Sequence, residues 1–118
     1  PQHEPHTLVA GATGSGKSVL VQNLLLDVAR TNPSRLAHIH VIDPKMGVDY
    51  GAIEQLPHLK GGIITEQAAA VELLEGMVEE MDQRYQLFRA RQARDLRVYN
   101  SRVAPEDRLP ALFVVHDE

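Results

Sequence analysis

No cysteine occurs among the 118 residues. That excludes a disulfide framework and a thiolate metal site, and it fits a reducing compartment. No apolar run approaches the roughly 20 residues needed to cross a bilayer, and no secretory signal pattern opens the chain. Positive charge is not in excess either: 12 Lys and Arg against 16 Asp and Glu leave a formal net charge of −4. That balance argues against a generally basic nucleic-acid coat and leaves room for a local basic strip. Internal repeats and low-complexity segments are also missing. What remains is 43% hydrophobic and 24% charged, an ordinary globular balance, with length for one compact unit at most. The chain opens at Pro1 without a methionine and stops at Glu118 directly after an apolar run, which reads as a piece of something longer.

Elements can be placed coarsely from periodicity. Residues 7–10 are apolar and meet a glycine, as a buried parallel strand would. Val19-Leu20-Val21 and Leu24-Leu25-Leu26 then recur at helical spacing to about Arg30, where Asn32-Pro33 ends the helix. Residues 37–43 read as the next strand, closed by Pro44. The glycines and prolines between 44 and 62 predict a loop with at most a short helical turn, and Ile63-Ile64 a weak third strand.

Val71, Leu74, Val78, Met81, Tyr85 and Phe88 alternate spacings of three and four, giving one apolar stripe on a long helix. Such a stripe can meet the sheet or a partner, and a helix lying between strands favours the sheet. Glu66 to Asp82 carries six acids and no base, whereas Arg84 to Arg102 carries six arginines and one acid. That polarity suits the helix dipole. A last apolar strand, residues 111–116, delivers Asp117-Glu118. Strands alternating with helices predict an α/β fold with a mostly parallel sheet, whose ligands gather at the carboxyl ends of strands. Three stretches fall at such ends: residues 11–18, Asp43-Pro44-Lys45, and Asp117-Glu118.

Gly11-Ala12-Thr13-Gly14-Ser15-Gly16-Lys17-Ser18 satisfies G-x-x-x-x-G-K-[ST] in full, between a strand and a helix. Glycines let the backbone aim its N–H groups at phosphate oxygens, and the helix start adds its positive end. Lys17 is expected to reach the β- and γ-phosphates and Ser18 to ligate magnesium. Val19 completes the nucleotide-binding stretch. Asp117 fits the Walker B aspartate that holds Mg2+, and Glu118 fits the base that polarises the attacking water, with Lys17 as the second catalytic residue. No Asn-Lys-x-Asp guanine reader and no Leu-Ser-Gly-Gly transporter signature occurs, so ATP is the expected nucleotide. The six histidines show no zinc-like spacing with carboxylates. His38 and His40 would share one strand face, and His116 is expected to be buried and hydrogen-bonded, with a place near the nucleotide as the alternative.

The segments HTLVAGATGSGKS, VIDPKMGVDY, LPHL, EEMDQRYQLF, ARDLRVYN and LPALFVVHDE, in this order from about His6 to Glu118, resemble the motor domain of the FtsK/SpoIIIE family of DNA translocases. The resemblance implies a three-layer P-loop NTPase (RecA-like) core that breaks off after the Walker B strand, residues 1–118 being its N-terminal part. It also implies a hexameric ring, ATP bound between subunits, double-stranded DNA through the centre, and a cytoplasmic setting with any membrane anchor in another domain. Family members move DNA in chromosome segregation or plasmid transfer. Related ATPases that move protein cargo in a secretion apparatus are the alternative, as is a nucleotide-binding module without turnover, and the isolated piece is expected to hydrolyse ATP weakly or not at all. The resemblance assigns no role to Asp43-Pro44-Lys45, and the family's DNA-facing loops lie elsewhere. The arginines from Arg84 to Arg102 therefore read as a solvated helix end or a subunit interface before a DNA contact.

Overall fold

The computed structural model describes residues 6–11, 15–46 and 49–117. Among the described residues four strands, β1 (His6–Gly11), β2 (Ala37–Ile42), β3 (Leu59–Ile64) and β4 (Ala111–Asp117), form one sheet in the order β1-β4-β2-β3, parallel throughout. Four helices connect them: α1 (Ser15–Thr31), α2 (Gly51–Glu54), α3 (Gln67–Ala90) and α4 (Leu96–Ser101), with a 3-10 turn at Pro105–Asp107.

Strand order decides which face each helix covers. The paths from β1 to β2 and from β2 to β3 move one way across the sheet, whereas β3 to β4 moves back. Right-handed crossovers then place α1 and α2 on one face and α3 on the other. Leu25 of α1 and Ile53 of α2 bury against Ile39, Val41 and Val115, with Tyr50 in the same core cluster. Leu73, Met77, Glu80 and Arg84 of α3 line a cavity together with His38, His40 and Leu112. Strand alternation explains the split: odd positions of β2 and β4 face α1, even positions face α3.

The apolar stripe expected to meet the sheet does not do so. The stripe Val71, Leu74, Val78 and Tyr85 is exposed, and only its end, Phe88, is buried. The helix turns a different face inward, roughly a third of a turn away, where the guanidinium of Arg84 is buried. Arg84 satisfies that burial in part through Glu80, Nε to Oε2 at 2.8 Å one turn back. Apolar spacing alone did not select the face, because an ion-paired arginine stem also covers apolar surface.

The third strand begins at Leu59, four residues before the Ile63-Ile64 expected for it. Gly61 and Gly62 hide it from an apolar count. Both have positive φ, +76° and +67°, and the register jumps there, from Ile39↔Leu59 to Val41↔Ile63. This is a bulge that side-chain-bearing residues adopt only under strain. The long helix expected to carry the arginines as far as Arg102 instead ends at Ala90, and residues 96–101 form a separate helix, α4, which Asp95 caps by accepting from Val98 N at 2.9 Å.

The segment Leu56-Pro57-His58-Leu59 is a structural clasp. His58 is buried, its Nε2 lies 2.7 Å from Asn32 O beyond α1, and its own carbonyl accepts from Ile39 N at 2.8 Å.

Candidate functional site

At the carboxyl edge of the sheet three strand ends lie side by side. Gly11 of β1 is the register partner of Asp117 of β4, and Ile42 of β2 is the partner of His116. The first glycine of the P-loop sequence, Asp117 and Asp43 therefore end on one edge. Helix α1 starts at Ser15 from the same edge. Lys17 on its first turn is exposed and Ser18 is half-buried. Val19 is exposed, so its side chain packs against nothing in the core. Gly11 belongs to β1, Ser15 and Gly16 to α1. Ala12, Thr13 and Gly14 lie outside the described residues, and so does Glu118.

Asp117 is buried, with 7% of its surface exposed. Its Oδ2 accepts a hydrogen bond from the Tyr50 hydroxyl at 3.1 Å. Burial first, then the bond to Asp117 and the negative charges of Asp117 and Asp43, hold the Tyr50 phenol well above its ordinary pKa. Tyr50 is thus a permanent donor, and Asp43, buried at the end of β2, lies close enough to act on the same hydroxyl. Sequence reading missed Tyr50. The two residues are 67 positions apart, and only the sheet order brings them together. His116, expected to be buried, is half-buried on the opposite strand face.

The donors at this edge are hard oxygens, the buried carboxylates of Asp117 and Asp43 and the Ser18 hydroxyl. Among the described residues no group of three or more His, Asp or Glu forms a metal cage. Carboxylates and a hydroxyl beside an anionic ligand fit Mg2+, which keeps most of its waters and takes few protein ligands.

The arginines after Arg84 have mixed duties. Arg91 and Arg102 exchange bonds with each other's carbonyls, Arg91 Nη1 to Arg102 O at 3.2 Å and Arg102 Nη1 to Arg91 O at 2.8 Å. They fasten the α3–α4 turn. Arg89 lies over the Tyr85 ring, 5.7 Å from its centroid. Among the described residues no helix is long and apolar enough to cross a membrane.

Comparison with known proteins gives this edge a context. "DNA translocase SftA" of Bacillus subtilis is 41% identical over 118 residues, covering 97% of this chain and 12% of the relative. "DNA translocase FtsK" of Campylobacter jejuni is 36% identical over 116 residues, again 97% of this chain and 12% of the relative. The chain therefore spans only about an eighth of the length of these curated relatives. Among solved structures, the pCW3 conjugation coupling protein TcpA, a monomer form with ATPgS, superposes with a TM-score of 0.72 at 30% identity, over 98% of this chain and 30% of that one. The cytoplasmic domain of EssC superposes with a TM-score of 0.75 at 28% identity, over 96% and 22%. The fold is that of P-loop ATPase motor domains. The FtsK/SpoIIIE family matches residues 1–116, and the chain belongs to that family.

Proposed function

We propose that this chain is the nucleotide-gripping part of a cytoplasmic, ATP-driven motor that moves double-stranded DNA, working as a hexameric ring. The register pairing of Gly11 with Asp117 carries the reading. It sets the strand that leads into the P-loop beside the strand that delivers an acid, so both can address one triphosphate. The relatives named DNA translocase and the ATPgS-bound TcpA support the cargo and the nucleotide.

Each residue then has a task. Backbone N–H groups from Gly11 through Val19, with Ala12, Thr13, Gly14, Ser15 and Gly16 between, wrap the phosphates. Lys17 neutralises the terminal phosphates from the exposed first turn of α1. Ser18 and Asp117 would hold Mg2+, which when bound neutralises charge on the phosphate oxygens. Glu118 orients and polarises the attacking water.

The test is ATP hydrolysis by the full-length protein with and without duplex DNA. Hydrolysis is expected to rise several-fold with duplex DNA, and to vanish in Glu118→Gln while ATP binding persists. Hydrolysis indifferent to every DNA would overturn the cargo assignment. A Glu118→Gln protein turning over at the normal rate would remove that residue from the chemistry.

A further inference from the structure

Residues 43–46 and 49–50 take no part in gripping the nucleotide, yet their contacts fix where one side chain sits. Met46 N returns to Asp43 O at 3.2 Å, closing a turn in which Met46 has a φ of 52°. Asp49 Oδ1 then accepts from Gly51 N at 2.9 Å, which starts α2 with Tyr50 at its N-cap. The Tyr50 ring is buried in the cluster formed by Leu25, Ile39, Val41, Ile53 and Val115. The core under α1 and α2 therefore fixes where the hydroxyl sits. That hydroxyl meets Asp117 Oδ2.

We propose that Tyr50 is the positioning residue for the magnesium aspartate. Its hydroxyl occupies one oxygen of the Asp117 carboxylate, fixes the side-chain rotamer, and leaves Oδ1 as the oxygen available to the ion. This inference rests on the assignment of Asp117 given above. The physical ground is that a carboxylate held by an outer partner loses less freedom when it takes up a metal. The Asp-Pro-Lys segment gains a role from the same geometry. It forms the turn at the end of β2, closed by Met46 N on Asp43 O, just ahead of the residue steadying β4.

Tyr50→Phe in the full-length protein isolates the hydroxyl, because the ring that packs the core is retained. Mg2+ is titrated into protein saturated with ATPγS and followed by calorimetry, and ATPγS binding is measured separately in EDTA. The variant is expected to need roughly 10-fold more Mg2+ for half-saturation, with nucleotide binding in EDTA unchanged. An unchanged Mg2+ requirement overturns the proposal, as does an equal loss in both conditions, which would mark a packing residue. Asp117→Asn separates the two levels of inference. If it loses the Mg2+ response while Tyr50→Phe keeps it, the positioning role alone falls. If it too leaves the response intact, the assignment of Asp117 falls with it.

Discussion

Gly11 and Asp117 are neighbours across parallel strands at the last paired position of β1 and β4. The chain between them makes three crossovers and then returns to lie beside its own beginning. Lys17, in the first turn of α1, is exposed at this edge rather than tied into the core. Its ammonium is thus available to a phosphate, and Lys17→Ala in the full-length protein is expected to weaken ATPγS binding by about 1.5–3 kcal/mol. Calorimetry reads this directly. The unfolding midpoint should hardly move, since an exposed side chain without a core contact is removed. Unaltered affinity would detach the lysine from nucleotide binding.

The strand ends were legible in the sequence because each carries its own local signal: an apolar run that stops at a glycine, a proline or an acid. Gly11, Asp43 and Asp117 could be placed on one edge from parallel topology alone. Tyr50 could not, because no spacing rule links it to Asp117. Helix α3 was legible as a helix but not in its rotation. Val71, Leu74 and Val78 satisfy the apolar period, yet Arg84 and Met77 face the sheet. The β3 strand was obscured for the opposite reason, since Gly61 and Gly62 serve its bulge and add no apolar signal.

Asn100 fastens the chain two residues before β4 begins. Its Nδ2 donates to Leu109 O and its Oδ1 accepts from Leu109 N, both at 2.9 Å. The amide satisfies both backbone groups of one residue just before the strand. Asn100→Ala leaves them without these partners, and a loss of about 1–3 kcal/mol in unfolding free energy is expected from urea titration. Asn100→Asp keeps the acceptor but sets an anionic oxygen against Leu109 O, so a loss at least as large as that of the Ala variant should follow. An Ala variant as stable as the parent protein would show that water replaces the amide without penalty.

The end of α3 offers a gain. Gln92 sits at φ 54°, the left-handed position of a Schellman turn, with Ala93 N bonded to Phe88 O at 2.8 Å and Gln92 N to Arg89 O at 3.0 Å. A residue with a Cβ is strained there, whereas glycine is not. Gln92→Gly is expected to raise stability by a few tenths to about 1 kcal/mol, the strain relieved exceeding the added freedom of the unfolded chain. Gln92→Val should lower it, because a β-branched residue tolerates positive φ least. Both are read from chemical denaturation midpoints. A destabilised Gly variant would mean that the glutamine side chain contributes more than its backbone strain removes.

Acid sensitivity should arise on the other face of the sheet. His38 and His40 project from β2 into the cavity under α3, together with Glu72, Glu80 and Arg84. Both imidazoles are held below their ordinary pKa. For His38 the chief cause is burial, followed by the positive charges of Lys60 and Arg84, which Glu80 opposes and His58 reinforces. For His40 it is burial, then His38 and Lys60. The native state thus favours the neutral rings, while the unfolded chain takes up protons near about pH 6.5. Their contribution is complete above that value and is lost as pH falls through the lowered native values. The urea midpoint is therefore expected to decline between about pH 7 and 5.5, a window in which most carboxylates stay ionised. His38→Gln combined with His40→Gln should flatten the decline. An equal slope in the double variant would place the acid sensitivity elsewhere, and a midpoint that rises on acidification would mean that Glu80 and Glu72 outweigh the burial of both rings.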